Sequence, residues 1–218
     1  MKSKSAPPPS QRGTVPKVTK RRTQEERRRE TKERLIAATI AHLSERGFEN
    51  FSMAEIAKIK GLTRGAMQHH YPSREALVAD VVSEISRRLQ PNMDLTDFLS
   101  RNLRDRISLV VDHYWQITGS KTFLAIFEII VFSRHDPNLL AEVSKTLFEV
   151  SRDRDIEWIE MFRDTPASAK RLHHLRTFML STLRGLAVRA IAAFDREDRE
   201  GTLALLKESL YQSMTSTS

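Results

Sequence analysis

From Thr23 onward apolar residues recur every three or four positions, and no sustained period-two alternation appears between turn signals. The pattern predicts an all-α fold. Thr23 with Glu26 three residues later has the form of a capping box, so a first helix starts there or nearer Thr31. Ile36, Ile40 and Leu43 supply its buried stripe, and Gly47 is placed to end it in a left-handed cap. Ser52 with Glu55 forms a second capping box, opening a short helix through Ile56 and Ala57 that stops at Gly61. Thr63 is placed to cap a shorter helix, Arg64 to about Tyr71, which Pro72 ends. Ser73 then caps a helix carrying Leu77, Val81 and Ile85 on one face as far as Pro91. Two short helices joined by a glycine-containing turn and flanked by longer ones are the pattern of a helix-turn-helix.

Past Pro91 the predicted helices lengthen, covering about 94 to 117, 120 to 134, 137 to 163, 167 to 194 and 201 to 214. Gly119, Asp136 with Pro137, Pro166 and the charged stretch Asp195 to Gly201 set the breaks. This gives three expected regions: a tail over residues 1–22, a small helix-turn-helix domain over 23–90 and a larger helical domain over 91–218.

Charge sharpens the division. Of the net charge of +8 on 218 residues, residues 1 to 30 carry +7 and residues 91 to 218 carry −1. Such a basic excess suggests an anionic partner, either nucleic acid or an acidic membrane surface. The tail, with Pro7 to Pro9, scattered Ser and Thr and almost no large apolar side chain, is expected to be disordered. It lacks the apolar run of about 7 to 15 residues that a secretory signal needs. Leu124 to Phe132, interrupted by Glu128, falls short of the roughly 18 residues of a membrane span, so no membrane partner is expected. The absence of Cys excludes disulfides, thiolate metal sites and a cysteine nucleophile, and fits a reducing compartment.

Residues 56–74 contain Lys58, Lys60, Arg64 and Arg74 and no acidic residue. That is the character of a DNA-facing segment, because a carboxylate there repels phosphate, although four bases in nineteen residues also describe a solvated face. The spacing favours DNA, since helix-turn-helix proteins set the start of the second helix against base edges. Thr63, Arg64, Gly65 and Ala66 occupy that position. Arg64 suits guanine O6 and N7, Gly65 permits close approach, and Ala66 suits a thymine methyl. Gln68, His69 and His70 offer hydrogen bonds to bases or phosphates, and Arg74 lies at the start of the next helix, where free N–H groups also bind phosphate. Ile56, Ala57, Leu62, Met67 and Leu77 are expected in the core, as is Tyr71 unless its hydroxyl reaches a phosphate.

The run from Thr31 to Val78, especially IAKIKGLTRGAMQHHYPSREALV, resembles the DNA-binding domain of the TetR family (TetR/AcrR type) of bacterial transcriptional regulators. The likeness includes the Phe48 to Ser52 link, the Ile56-Ala57 pair, Gly61-Leu62 in the turn and the Tyr71 to Leu77 exit. The chain departs from the family pattern at Gln68, where Tyr is frequent, and at Arg74, where Lys is usual. Arg74 keeps the charge in a phosphate-suited fork, and Gln68 is expected to read an adenine edge. The resemblance implies DNA contacts from Ser52, Thr63, Arg64, Gly65, Ala66, Gln68, His69, His70, Tyr71 and Arg74. It also implies a homodimer on a double-stranded operator, a larger domain for dimerisation and effector binding, and a bacterial cytoplasmic location at the nucleoid.

Leu172, Leu175, Met179, Leu183, Leu186, Ala190 and Phe194 form one apolar stripe, and Leu203, Leu206, Leu210 and Met214 a second. Two such helices per protomer suit a four-helix bundle across a two-fold axis, or else an intramolecular core. Gly185, mid-helix, suggests a close helix approach. Phe98, Tyr114, Phe123, Phe127, Trp158 and Phe162, with Asn102, His113 and His174 near in sequence, fit a pocket for a small apolar or aromatic effector, or plain core. The paired histidines lack metal-ligand spacing, and no phosphate loop, His-Glu-x-x-His or nucleophile elbow is present, so neither metal, cofactor nor enzyme is expected. A dimeric repressor released by an effector is the leading expectation, with a helical adaptor or membrane-surface protein using its basic tail as the alternative.

Overall fold

The computed structural model describes residues 23–88, 94–191 and 196–216. The predicted tail (1–22), the Pro91 helix stop and Phe194 of the apolar stripe lie outside these residues. The described residues form ten helices: α1 Gln24–Arg46, α2 Met53–Ile59, α3 Arg64–His70, α4 Arg74–Arg88, α5 Leu95–Ser100, α6 Leu103–Thr118, α7 Lys121–Ser133, α8 Pro137–Met161, α9 Ala169–Ile191 and α10 Arg196–Thr215. There is no strand among them.

Side-chain caps set most helix starts. Thr23 Oγ1 accepts the Glu26 N–H at 3.1 Å, and Glu26 Oε2 accepts the Thr23 N–H at 2.8 Å, completing the reciprocal box. Ser52, Thr63 and Asp136 accept N–H groups of the first turns of α2, α3 and α8 in the same way. Gly47 ends α1 at a φ of 75°, open to glycine and strained for other residues.

One predicted helix divides. Arg101 is extended and Asn102 starts a new helix, accepting the Asp105 N–H at 3.0 Å, so the span 94 to 117 becomes α5 and α6. Neither Gly nor Pro marks that break. The signal was the Asn102–Asp105 pair, which satisfies the orphan donors of α6 as glycine never could.

Two cores hold the fold. The first takes Leu35, Ile56, Met67, Leu77, Val78 and Val81 from α1 to α4 and extends into Ile126 and Ile129 of α7 and Leu139 and Val143 of α8. It therefore continues past residue 90, and α4 makes its most extensive helix packing against α8. The second joins α5, α6, the end of α8, α9 and α10 around Phe98, Val110, Trp158, Phe162, Met179 and Leu210. Trp158 donates its indole N–H to the Leu172 carbonyl at 2.8 Å. Arg106, 3% exposed, is held by a two-pronged pair with Asp164 at 2.7 and 2.9 Å and by the Met161 carbonyl at 3.1 Å. Hydrogen bonding to that guanidinium holds the Asp164 carboxyl below its usual range. Among the described residues no single helix is long and apolar enough to cross a membrane.

Candidate nucleic-acid interface and effector cavity

The short helices α2 and α3 have too few residues to stand alone and are fixed by what they bury. Ile56, Ala57 and Met67 point into the first core, with Leu62 packed against it. The turn between them passes through Gly61 at a φ of 65°, where no heavy atom of the described residues lies within 4 Å of a Cβ position, so the backbone angle rather than space selects glycine. The opposite face of α3 is left to solvent: Thr63, Arg64, Gly65, Gln68 and His69 are exposed, while Ala66 and His70 are half-buried. Among the described residues nothing lies within 4 Å of a Cβ position at Gly65. Exposed Ser52, Lys58 and Lys60 flank this face, which presents cations, amide and imidazole groups without a carboxylate from residue 56 to 74.

Tyr71, expected in the core unless its hydroxyl reaches a phosphate, and Arg74, at the start of α4 as expected, both have partners within the chain. Tyr71 is 1% exposed and donates its hydroxyl to Asp80 Oδ2 at 2.9 Å, with Lys32 Nζ 4.8 Å from the ring centre. Burial, reinforced by the Asp80 charge, pushes its phenol far above the ordinary range. In this structure the hydroxyl is committed to the protein. Arg74 lays its guanidinium over Phe48 at 4.7 Å and Phe51 at 5.5 Å, so its reach is set by aromatic stacking as well as by charge. Tyr71→Phe should lower stability by about 1.5 to 3 kcal/mol, the scale of a hydrogen bond to a charged group. Urea denaturation measures this, and intact stability with reduced DNA affinity would instead place the hydroxyl on a phosphate.

The structure adds residues that the sequence reading assigned only to bulk charge. Arg27, Arg28 and Thr31 of α1, with Gln24 and Glu25, share one hollow with His69 and His70 of α3, which brings two arginines and one carboxylate of the first helix beside α3. Burial lowers the pKa of His70, and the charges of His69, Arg28 and Lys32 lower it further. The Arg27-Arg28-Arg29 run was visible in the charge count, but its position beside α3 requires the fold.

The model for bacterial regulatory proteins of the tetR family matches residues 35–81, the segment from mid-α1 into α4. Over 204 residues the chain is 30% identical to the HTH-type transcriptional regulator CymR of Pseudomonas putida, covering 87% of this chain and 95% of CymR. The chain belongs to the TetR family. Family likeness extends to the fold beyond the head. GusR of Salmonella enterica superposes with a TM-score of 0.61 at 19% identity, covering 89% of this chain and 98% of GusR. A transcriptional regulator from Rhodococcus sp. Rha1 gives 0.58 at 22% identity, covering 85% and 98%. The chain is thus a TetR-family helix-turn-helix transcriptional regulator.

In this TetR-family chain a cavity of about 630 Å³ lies between α4, α6, α7, α8 and α9. Of the residues predicted for an effector pocket, Tyr114, Phe123 and Phe127 line it. Phe98, Trp158 and Phe162 do not: they fill the second core at 1%, 3% and 0% exposure, with Phe98 and Trp158 both packed on Phe162. Asn102 caps α6, His113 stands edge-on to Tyr114 without lining the cavity, and His174 lines a separate hollow with Pro166 and Lys170. The lining that sequence reasoning missed includes Ile126, Ile130, Leu147 and three arginines, Arg154, Arg176 and Arg184.

Helix α9 carries three stripes. Leu172, Leu175, Met179, Leu183 and Leu186 are buried within the chain, as are Leu206 and Leu210 of α10, with Leu203 half-buried against them. The stripes predicted for a dimer face are therefore intramolecular core, apart from exposed Ala190. Arg176, Leu180 and Arg184 face the cavity. Phe178 and Val188, with exposed Ser181 and Gly185 between them, form the third, solvent-facing stripe, and Ile191 at the end of α9 and Leu205 of α10 are also exposed. Among the described residues no heavy atom lies within 4 Å of a Cβ position at Gly185, so the close approach expected there is not made by them.

Proposed function

We propose that this regulator is a repressor, that it binds a palindromic operator as a homodimer through α3, and that a small molecule entering the α7–α9 cavity releases it. The observation carrying the release is the two-sided use of α7. Phe123, Ile126, Phe127 and Ile130 line the cavity. From the same helix, Glu128 Oε2 accepts the Phe48 N–H at 2.8 Å, at the link between α1 and α2. A ligand that shifts α7 thus moves a contact of the DNA-reading head, and differential affinity for the two arrangements couples the sites. The exposed apolar stripe of α9 with Leu205 of α10 supports a two-fold interface, which sets two α3 helices on half-sites about 34 to 36 Å apart.

Selection of bound duplexes from a random pool tests this reading. A palindromic consensus is expected, and failure to bind any duplex at low salt would overturn it. On that consensus Arg64→Ala should cost about 1 to 3 kcal/mol, roughly 5- to 150-fold in affinity, and relax preference at one base pair per half-site. Titrations against single-base operator variants measure both. A uniform loss across variants would mark Arg64 as a phosphate contact.

A further inference from the structure

Arg74 opens α4, half-buried, with its guanidinium 4.7 Å from the ring centre of Phe48 and 5.5 Å from that of Phe51. Among the described residues that guanidinium has no ion pair or hydrogen bond, and its buried Nε has no partner. Two aromatic faces therefore hold it in place of an acidic neighbour. A guanidinium seated over a ring keeps its in-plane N–H groups at the edge, where the oxygens of a phosphate can accept two of them. A lysine ammonium has no such planar fork, so the seat suits arginine.

The seat is gripped from α7. Phe132 packs on Phe48 at a centroid distance of 5.7 Å, Phe51 packs on it at 5.6 Å, and Glu128 accepts the Phe48 N–H at 2.8 Å. At 2% exposure the Phe48 ring has little room to move apart from these neighbours. We propose that Phe48, set by Phe132 of α7, is a positioning residue that presents Arg74 to an operator phosphate. This rests on the reading of the α3 head as the operator-binding surface of a dimer, and it assigns a role to buried residues behind the contact. The seat orders a long side chain before DNA arrives, so less rotamer freedom is lost on binding. It also ties one phosphate contact per protomer to the helix that lines the cavity, because a displacement of α7 tilts the ring on which the cation rests.

Titrations of the full chain against its selected consensus duplex, repeated across salt concentrations, test the assignment through a double-mutant cycle. Arg74→Gln should weaken binding to all operator variants alike and reduce the slope of log affinity against log salt by about 2, one phosphate per protomer. Phe48→Leu keeps an apolar side chain and removes the ring, and should weaken binding roughly 5- to 30-fold for the two seats of a dimer. In the Arg74→Gln background the same change should leave affinity unaltered, which a merely structural role for Phe48 does not produce. Phe132→Leu, at a site 39% exposed, should repeat the pattern at smaller amplitude, and it carries the test if circular dichroism shows that Phe48→Leu impairs folding. An unchanged salt slope in Arg74→Gln, or losses from Phe48→Leu and Phe132→Leu that persist undiminished in that background, would overturn the assignment and leave operator binding standing. A wild-type chain that binds no duplex would overturn the operator-binding reading together with it.

Discussion

A chain carrying Phe178→Glu together with Val188→Glu should be a folded monomer whose operator affinity falls by about 100- to 10,000-fold, the scale gained when a second binding head is tethered to the first. Both residues lie on the outward stripe of α9, at 48% and 39% exposure, so two carboxylates there leave the core of their own protomer untouched. Placed face to face across a two-fold axis, four such charges repel and stay hydrated where apolar contact is required. Sedimentation velocity and operator titration should change together, with the circular dichroism spectrum preserved. A dimer that persists with unchanged affinity would move the interface elsewhere on the surface.

Trp158→Ala carries the second large effect, and it falls on stability. The indole is 3% exposed, packs on Phe162 at a centroid distance of 4.6 Å and donates to the Leu172 carbonyl. Truncation removes that packing, leaves a cavity and orphans a buried carbonyl, for a loss of about 3 to 5 kcal/mol. Against a typical total of about 5 to 15 kcal/mol this is severe, and it corresponds to a fall in Tm of roughly 6 to 20 °C. Trp158→Phe keeps the ring and loses the donor, so it should fall by about 1 to 3 kcal/mol. Differential scanning calorimetry distinguishes this core role from the pocket role expected from sequence. A pocket residue would lose ligand affinity while Tm stayed nearly constant.

The caps at Thr23, Ser52, Thr63 and Ser73 were legible because the interaction is local: an oxygen and an N–H three residues apart. The exposed face of α3 was legible for the same reason, since a seven-residue helix with Met67 buried leaves Arg64, Gly65 and Gln68 on the other side. What an apolar stripe packs against is not local. Leu172, Leu175 and Met179 announce a buried face of α9 equally well whether the neighbour is α10 or a second protomer. The outward stripe, interrupted by Ser181 and Gly185, was hidden by its mixed composition. Arg154 and Arg184 are thirty residues apart, and only the packing of α8 on α9 brings them to one cavity.

Gly47 and Glu128 bear on how such a regulator can be re-engineered. A Cβ at Gly47 would lie 3.0 Å from Glu128 Oε2, and that carboxylate holds the Phe48 N–H, so the hinge of the head is fitted to α7. With Ile126, Ile129, Leu139 and Val143 also sharing the core of α1 to α4, residues 23–88 are not a transferable cassette. A chimera that exchanges the whole head between relatives would import a mismatched seat, and should lose ligand response before it loses DNA binding. Grafting only the exposed residues of α3 and its cap changes what is read and leaves that joint intact.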